Sequence, residues 1–178
     1  LIQTIRPYGE ADLGRRIRVL WEGAEYRGRF REVIWDGTAR FADNRIESAT
    51  PINFLNPDKT LEPVGADGLT WRTLTTGNYG GFDAVLAEGK AGRLELSTPL
   101  IKVELPLADI GLEDCLFEAN GVLPRFIKVF RLPDVPPERR LSFELPVELR
   151  AAGDNPLYLR LTQADGTRAW TSPIYVFR

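Results

Sequence analysis

The sequence contains no histidine, no methionine and only one cysteine, Cys115, among its 178 residues. Without imidazole the chain cannot assemble a Ser-His-Asp site, a Cys-His site or a histidine-ligated zinc centre. A single cysteine excludes an intramolecular disulfide and a thiolate metal cluster. Cys115 lies in the apolar stretch LEDCLFEA and is expected to be a buried structural thiol. We therefore predict no metal site, no cofactor and no catalytic residue in this chain.

The charge balance and the missing residues also bear on partners and location. Lysine and arginine number 23 against 25 acidic residues, a net charge of -2, which gives no electrostatic reason to expect nucleic acid or an anionic membrane. No apolar run reaches membrane-spanning length. The lack of disulfides favours the cytoplasm over the periplasm. Because natural gene products begin with methionine and this sequence begins at Leu1, we expect a fragment of a longer protein.

Short alternating runs of apolar and polar residues dominate the pattern, and turn-forming residues separate them. An apolar share of 43% is sufficient for a sizeable core, so we predict one domain over residues 1–178, with an irregular linker at 1–14. About a dozen short strands without intervening helices indicate an all-β fold, an antiparallel β-sandwich of jelly-roll or immunoglobulin-like topology. The predicted strands are 17–21, 29–35, 38–41, 69–74, 82–86, 93–97, 101–105, 116–118, 126–131, 141–145, 157–163 and 169–177.

Two segments interrupt this pattern. Three prolines in residues 48–68 remove backbone donors, so this segment is predicted to be a long surface crossover where the chain changes sheets. Residues 132–140 are predicted to be a second connection, which prolines stiffen. Helical turns are expected only near 108–113 and 146–150.

Aromatic side chains are the candidate ligand contacts, because sugar rings pack against exposed aromatic faces. Trp21 and Trp35 alternate in phase with apolar neighbours and are predicted to point into the core. The direction of Trp71 is ambiguous, whereas Tyr79, in the glycine-rich stretch TTGNYGGF, is expected to be exposed. With Tyr26, these two residues form the predicted binding set of a carbohydrate- or peptide-binding module. The alternative is that 76–81 is only a flexible hairpin loop.

Carboxylates could support a different activity. Glu95 and Glu104 lie on adjacent predicted strands, and a glycosidase needs two carboxyl groups facing each other across a cleft. The alternative is the solvent-facing side of a half-exposed sheet, where acidic residues alternate with apolar ones in the same way. The loop segments 42–44, 65–67 and 153–155 offer oxygen ligands, but none matches a calcium-binding string.

The sequence DNPLYLRLTQADGTRAWTSPIYVFR, residues 154–178, predicts a terminal hairpin that turns at Asp165-Gly166. Pro173 lacks a backbone donor, so the return strand should lie at an edge or carry a bulge there. Trp170 is predicted to be buried on the face of Ser172, Ile174 and Val176. Its replacement by alanine is then expected to cost about 3–5 kcal/mol.

Several segments resemble the C-terminal region of a bacterial family of unknown function. They are RIRVLWEGAEYRGRFREVIWDG, GNYGGFDAVLAEGKAGRLELST, LPLADIGLEDCLFEANGVLPRFIKVFRLP and DNPLYLRLTQADGTRAWTSPIYVF. Members of that family pair a metal-dependent, polymerase-and-histidinol-phosphatase (PHP)-like domain with a β-rich tail. The most specific part of the resemblance is carried by Tyr158, Arg160, Thr162, Gln163, Asp165, Gly166, Ala169, Trp170, Ser172, Pro173 and Ile174.

The resemblance implies an accessory tail rather than an enzyme. The histidines and carboxylates that would bind metal belong to the other domain of that family, and this chain has no histidine. We therefore expect a non-catalytic β-domain that packs on an upstream catalytic domain of the same protein or on a second copy of itself. A carbohydrate- or peptide-binding module is the second hypothesis, and a carboxylate-based glycosidase is the third.

Overall fold

A computed structural model describes residues 5–27, 30–135, 142–163 and 167–177, with the backbone alone at positions 26, 27 and 30. The chain divides into two compact units, Leu1–Pro137 and Glu138–Arg178, here called the core unit and the C-terminal unit. The prediction of one domain across residues 1–178 stays a prediction. Among its described residues, the core unit contains two 3-10 helices, Glu10–Asp12 and Leu107–Asp109.

The strands of the core unit are β1 (Arg16–Gly23), β2 (Tyr26–Arg27), β3 (Phe30–Arg31), β4 (Val33–Ile34), β5 (Gly37–Ala42), β6 (Ile46–Ile52), β7 (Thr60–Val64), β8 (Gly68–Arg72), β9 (Leu74–Thr75), β10 (Tyr79–Leu86), β11 (Arg93–Ser97), β12 (Lys102–Pro106), β13 (Cys115–Glu118) and β14 (Arg125–Leu132). The strands of the C-terminal unit are β15 (Asp154–Leu157), β16 (Arg160–Thr162), β17 (Arg168–Trp170) and β18 (Ile174–Phe177).

Two five-stranded antiparallel sheets form the body of the core unit. The first sheet has the order β13-β14-β1-β10-β6, and the second has the order β12-β11-β5-β8-β7. The prediction of an all-β antiparallel fold is confirmed. Inward-facing side chains of both sheets belong to one hydrophobic core, which is compatible with a sandwich. The choice between jelly-roll and immunoglobulin-like topology stays a prediction.

Aromatic rings link the two sheets at the centre of this core. Trp21 on β1 stacks on Trp71 on β8, with ring centroids 5.2 Å apart and planes 9° from parallel. Phe82 on β10 tilts against both indoles. Trp21 and Trp35 are fully buried, as their alternation with apolar neighbours predicted. Burial of large aromatic rings is a main source of core stability in a domain of this size.

The proline-rich segment 48–68 differs from its prediction. This segment contains most of β6 and all of β7, so the irregular crossover is limited to the residues between these two strands. β6 is the edge of the first sheet and β7 the edge of the second, so the chain does change sheets here, as predicted. Pro51 and Pro63 fit these strands because an edge strand has one side that makes no ladder hydrogen bonds.

The N-terminal residues that precede β1 contact the first sheet and the loop before β13. The Arg6 guanidinium lies 2.5 Å from the Asp114 carboxylate and 4.9 Å from the centre of the Phe130 ring. Glu10 accepts a hydrogen bond from the Leu112 backbone nitrogen at 2.9 Å. The expected helical turn near 108–113 is the 3-10 helix Leu107–Asp109, whereas 146–150 is not helical.

In the C-terminal unit, residues 154–163 and 167–177 form two antiparallel two-stranded ladders, here called the C-terminal hairpin. β15 pairs with β18, with Leu157 opposite Ile174, and β16 pairs with β17, with Arg160 opposite Trp170. The two registers differ by one residue, so the return strand bulges between Thr171 and Ile174, which confirms the interruption predicted at Pro173. The predicted turn at Asp165-Gly166 lies outside the described residues, and 142–145 is not a strand.

Candidate functional site

Trp71 belongs to the core and not to a ligand surface. Its side chain is 1% exposed, and its indole nitrogen donates a hydrogen bond to the backbone oxygen of Trp35 at 2.5 Å. The Trp35 indole donates to the Thr75 hydroxyl at 2.8 Å, and that hydroxyl donates to the Gly23 carbonyl at 2.7 Å. This chain of bonds satisfies polar groups that water cannot reach. A buried and fully engaged indole offers no face to a sugar ring.

Tyr79 is also buried, at 7% exposure, so the expectation that it is exposed is wrong. The glycines around it serve packing and turn geometry. A Cβ on Gly81 would lie 2.1 Å from the Val19 carbonyl oxygen, and one on Gly80 would lie 2.8 Å from the Trp21 indole nitrogen. β10 therefore needs glycine where it pairs with β1. The stretch that resembled a flexible ligand loop is part of a close-packed strand.

The loop before Tyr79 is ordered by local hydrogen bonds. The Gly77 backbone nitrogen donates to the Gly23 carbonyl at 3.1 Å, and the Asn78 side chain accepts from the Thr76 backbone nitrogen at 2.9 Å. Gly77 has a φ of +102°, which a residue with a side chain rarely adopts. The loop therefore closes the end of β1. The side chain of Tyr26, the third predicted binding residue, lies outside the described residues.

Glu95 and Glu104 are direct neighbours across the β11–β12 ladder, as predicted from their strands. They lie on the outer face of the second sheet, where Arg93 contacts Glu95 at 2.7 Å and Glu104 at 3.5 Å. The Glu104 side chain is 74% exposed. Both carboxylates share an arginine on an open sheet face and do not face each other across a cleft. This geometry is that of a solvated ion-pair network and does not favour glycoside hydrolysis.

The buried charges of the core unit have structural partners. Arg18 on β1 forms a two-bond ion pair with Asp83 on β10, at 2.6 and 2.8 Å. Arg131 donates to the carbonyls of Leu107, Ile110 and Gly14, at 2.5, 2.8 and 3.0 Å. Burial lowers the pKa of Arg131, because removal from water disfavours its charge. These groups fasten strands and loops together.

The remaining titratable groups with shifted acidity do not form a catalytic pair either. Burial raises the pKa of the Cys115 thiol and of the Tyr8 hydroxyl, so both groups hold their protons more tightly than usual. Tyr8 lines an open depression with Asp134, but the Asp134 carboxylate is already bound to the Arg15 backbone nitrogen at 2.6 Å. A reactive thiol would require the opposite shift at Cys115.

In the described part of the chain, no group of three or more acidic or cysteine side chains is arranged to hold a metal ion. None of its helices has the length and apolar character that a membrane crossing requires.

Comparisons with family models, with curated proteins and with solved structures found no match. The function must therefore be inferred from the surface of the chain.

The most exposed aromatic rings of the described residues belong to the C-terminal hairpin, and none of them is a member of the predicted binding set. Trp170 is 59% exposed, so the prediction that it is buried is wrong. The bulge near Pro173 is one reason, because it places Trp170 on the face of Arg160 and not on the face of Ile174. Tyr158 is 62% exposed, and Tyr175 stacks near Phe177 with ring centroids 6.4 Å apart. Alternation along a single strand cannot show this, since exposure depends on whether a second layer covers the hairpin.

Proposed function

We propose that this chain is a non-catalytic accessory β-domain that packs, through the hairpin at residues 154–177, on the metal-dependent hydrolase domain of a longer protein or on a second copy of itself. One observation carries the proposal. The hairpin exposes large apolar side chains on both of its faces, and none of the described residues from 142 onward belongs to the hydrophobic core.

An isolated hairpin of this kind is not expected to be stable in water. On the first ladder, Ile174 is 69% exposed on one face and Phe177 is 70% exposed on the other. On the second ladder, Leu161 and Trp170 are exposed on opposite faces. Surfaces of this composition are commonly covered by another protein surface. A docking role accounts for both faces at once, whereas a ligand platform needs only one.

The preceding residues of the C-terminal unit show the same property. Phe143, Leu145 and Val147 are between 40% and 50% exposed and occupy every second position, with Glu144 and Pro146 between them. They lie in a segment that has no helix, strand or turn among its described residues. Alternation of this kind suits a strand that completes its hydrogen bonds on a partner. The proposed docking surface therefore extends beyond the hairpin.

The nature of the partner domain is inferred from the resemblance to the PHP-like family. Tyr158 and Trp170, two of the most specific residues of that resemblance, lie in the hairpin and are exposed. Because the chain contains no histidine, an imidazole-ligated metal centre would have to lie in another segment of the protein. The chain would then supply packing and orientation, with the chemistry in its partner.

The test compares this chain with the product of its complete gene. Hydrogen exchange should show slow exchange for the amides of residues 154–162 and 168–177 in the full-length protein, or at high concentration if the partner is a second copy. Leu161→Asp should restore fast exchange there, whereas Glu104→Lys, on the open face of the second sheet, should not. Equal protection in the dilute isolated chain would contradict docking. A gene that encodes no metal-ligating hydrolase domain would contradict the hydrolase assignment.

A carbohydrate-binding module is the second candidate, because Tyr158 and Trp170 are exposed in the same hairpin and Arg160 lies opposite Trp170. These residues replace the predicted set, of which Trp71 and Tyr79 are buried. Titration calorimetry with neutral and acidic oligosaccharides would test this function. Saturable binding that Trp170→Ala abolishes would support it, with Trp170→Phe as the control that keeps an aromatic face. Absence of binding across the panel would leave docking as the function of this surface.

A further inference from the structure

The connection between β13 and β14 contains the one asparagine of the sequence that precedes a glycine, Asn120-Gly121. Both residues are exposed. The connection is anchored at its base, where the Ala119 backbone nitrogen donates to the Arg125 carbonyl at 2.8 Å. We propose that Asn120-Gly121 is a self-modifying deamidation site and that the Arg125 guanidinium promotes the reaction.

The first argument concerns access to the reacting atoms. Deamidation begins when the backbone nitrogen of the following residue attacks the side-chain amide carbon, and glycine leaves this approach free of a Cβ. No hydrogen bond holds the Asn120 side chain or the Gly121 nitrogen among the described residues. Water can therefore reach both groups. No hydrogen bond to either group therefore has to break before the Gly121 nitrogen approaches the Asn120 side-chain amide carbon.

The second argument concerns the acidity of the attacking nitrogen. Arg125 donates a hydrogen bond to the Asn120 backbone oxygen. That oxygen belongs to the peptide group whose nitrogen, on Gly121, must lose its proton. When the nitrogen is deprotonated, its negative charge is shared with this oxygen. A cation hydrogen-bonded there favours the charged form, so Arg125 makes the nitrogen easier to deprotonate.

The position of Arg125 makes this effect strong. Its side chain is only 5% exposed and lies 2.5 Å from the Glu25 carboxylate. An ideal Cβ on Gly121 would meet the guanidinium, so the cation lies directly against the reacting peptide. Burial limits screening by water. Glu25 offsets part of the positive charge and thereby moderates the reaction.

The reaction balances with water as the only co-reactant. The Gly121 nitrogen gives its proton to the solvent and forms a bond to Cγ of Asn120. The bond from Cγ to Nδ2 breaks, and ammonia leaves after taking up a proton. Water then opens the cyclic imide at either of its two carbonyl carbons, which gives an aspartate or a β-linked isoaspartate. Either product adds a negative charge beside Arg125, and the isoaspartate also lengthens the main chain of the connection by one carbon.

The other asparagines provide internal controls. Asn56 and Asn155 precede proline, which has no backbone proton to lose. The Asn44 side-chain nitrogen donates to the Glu88 and Ala91 carbonyls at 2.8 and 2.7 Å, and its oxygen accepts from the Arg45 backbone nitrogen at 2.8 Å, so hydrogen bonds hold both the amide and the attacking nitrogen in place. These three positions should remain amides under conditions that convert Asn120.

The experiment follows the folded chain at mildly alkaline pH by peptide mapping and isoaspartate detection. Asn120 should convert first, Glu25→Gln should speed its conversion severalfold and Arg125→Met should slow it severalfold. In denaturant, where the guanidinium is no longer held in place, the wild type and Arg125→Met should convert at the same rate. If Arg125→Met fails to fold, the rate of Glu25→Gln in the folded chain still tests the effect of the Arg125 charge. Earlier conversion of Asn44 or Asn78, or no change of rate in Glu25→Gln, would overturn the proposal.

Discussion

Replacement of Trp71 by phenylalanine tests whether this residue is a core element or a ligand contact. The indole is buried, stacks 5.2 Å from Trp21 and donates to the Trp35 carbonyl. Phenylalanine keeps a ring in the stack but has no donor, so the buried carbonyl loses its partner at a cost of about 1–3 kcal/mol. The smaller ring also removes buried apolar atoms worth roughly 2 kcal/mol. The free energy of unfolding should therefore fall by about 3–5 kcal/mol.

Urea unfolding followed by far-ultraviolet circular dichroism measures this change, provided that the slope with urea is unchanged. Trp170→Phe is the matched control, because the same substitution at a 59% exposed position should alter stability by less than about 0.5 kcal/mol. A loss below about 1 kcal/mol for Trp71→Phe would refute the reasoning. Equal losses at the two positions would also refute it, since the exposed and buried indoles would then be equivalent.

Two further predictions concern charge and pH. Asp83→Ala should lower the free energy of unfolding by about 3–5 kcal/mol, because Arg18 then loses its carboxylate partner in a site where both side chains are mostly buried. The exposed Glu104→Ala should cost less than about 1 kcal/mol in the same urea series, and a similar loss for both variants would contradict the ion-pair argument. For Cys115, burial raises the thiol pKa in the folded state, so the unfolded chain releases its proton first as the pH rises past about 8.5. Stability should therefore decrease from that pH upward, and Cys115→Ala should decrease less between about pH 8 and 10, whereas an unchanged slope would contradict the assignment.

Most strands of the core unit, with β6 and β7 as exceptions, could be predicted from the sequence because their signal is local. In β1, Ile17, Val19 and Trp21 point to the same side, and a sheet with one buried face requires this alternation. The same reasoning placed Glu95 and Glu104 on adjacent strands. It could not show that Arg93 pairs with both carboxylates on an open face, because that contact depends on the register of the ladder.

Tyr79 shows where local reasoning fails. A stretch with several glycines and polar residues usually lies in an exposed turn. Here Gly80 and Gly81 are required because β10 lies directly against Val19 and Trp21 of β1. The sequence shows where small residues occur but not which neighbour requires them. The glycine-rich stretch around Tyr79 therefore resembles a binding loop in the sequence, although close packing of β10 on β1 is what requires its glycines.

The terminal hairpin was mispredicted for a different reason. A strand with alternating leucines predicts a buried face, and Leu157, Leu159 and Leu161 satisfy that pattern. Burial also requires a second layer, and in the described residues of the C-terminal unit the buried side chain is the polar Asn155. The bulge near Pro173 then moves Trp170 to the face opposite Leu161, so both faces carry apolar groups. A segment with the pattern of a core strand but the exposure of a surface strand lacks its packing partner, and this is the physical reason to look for that partner in another domain or in a second copy.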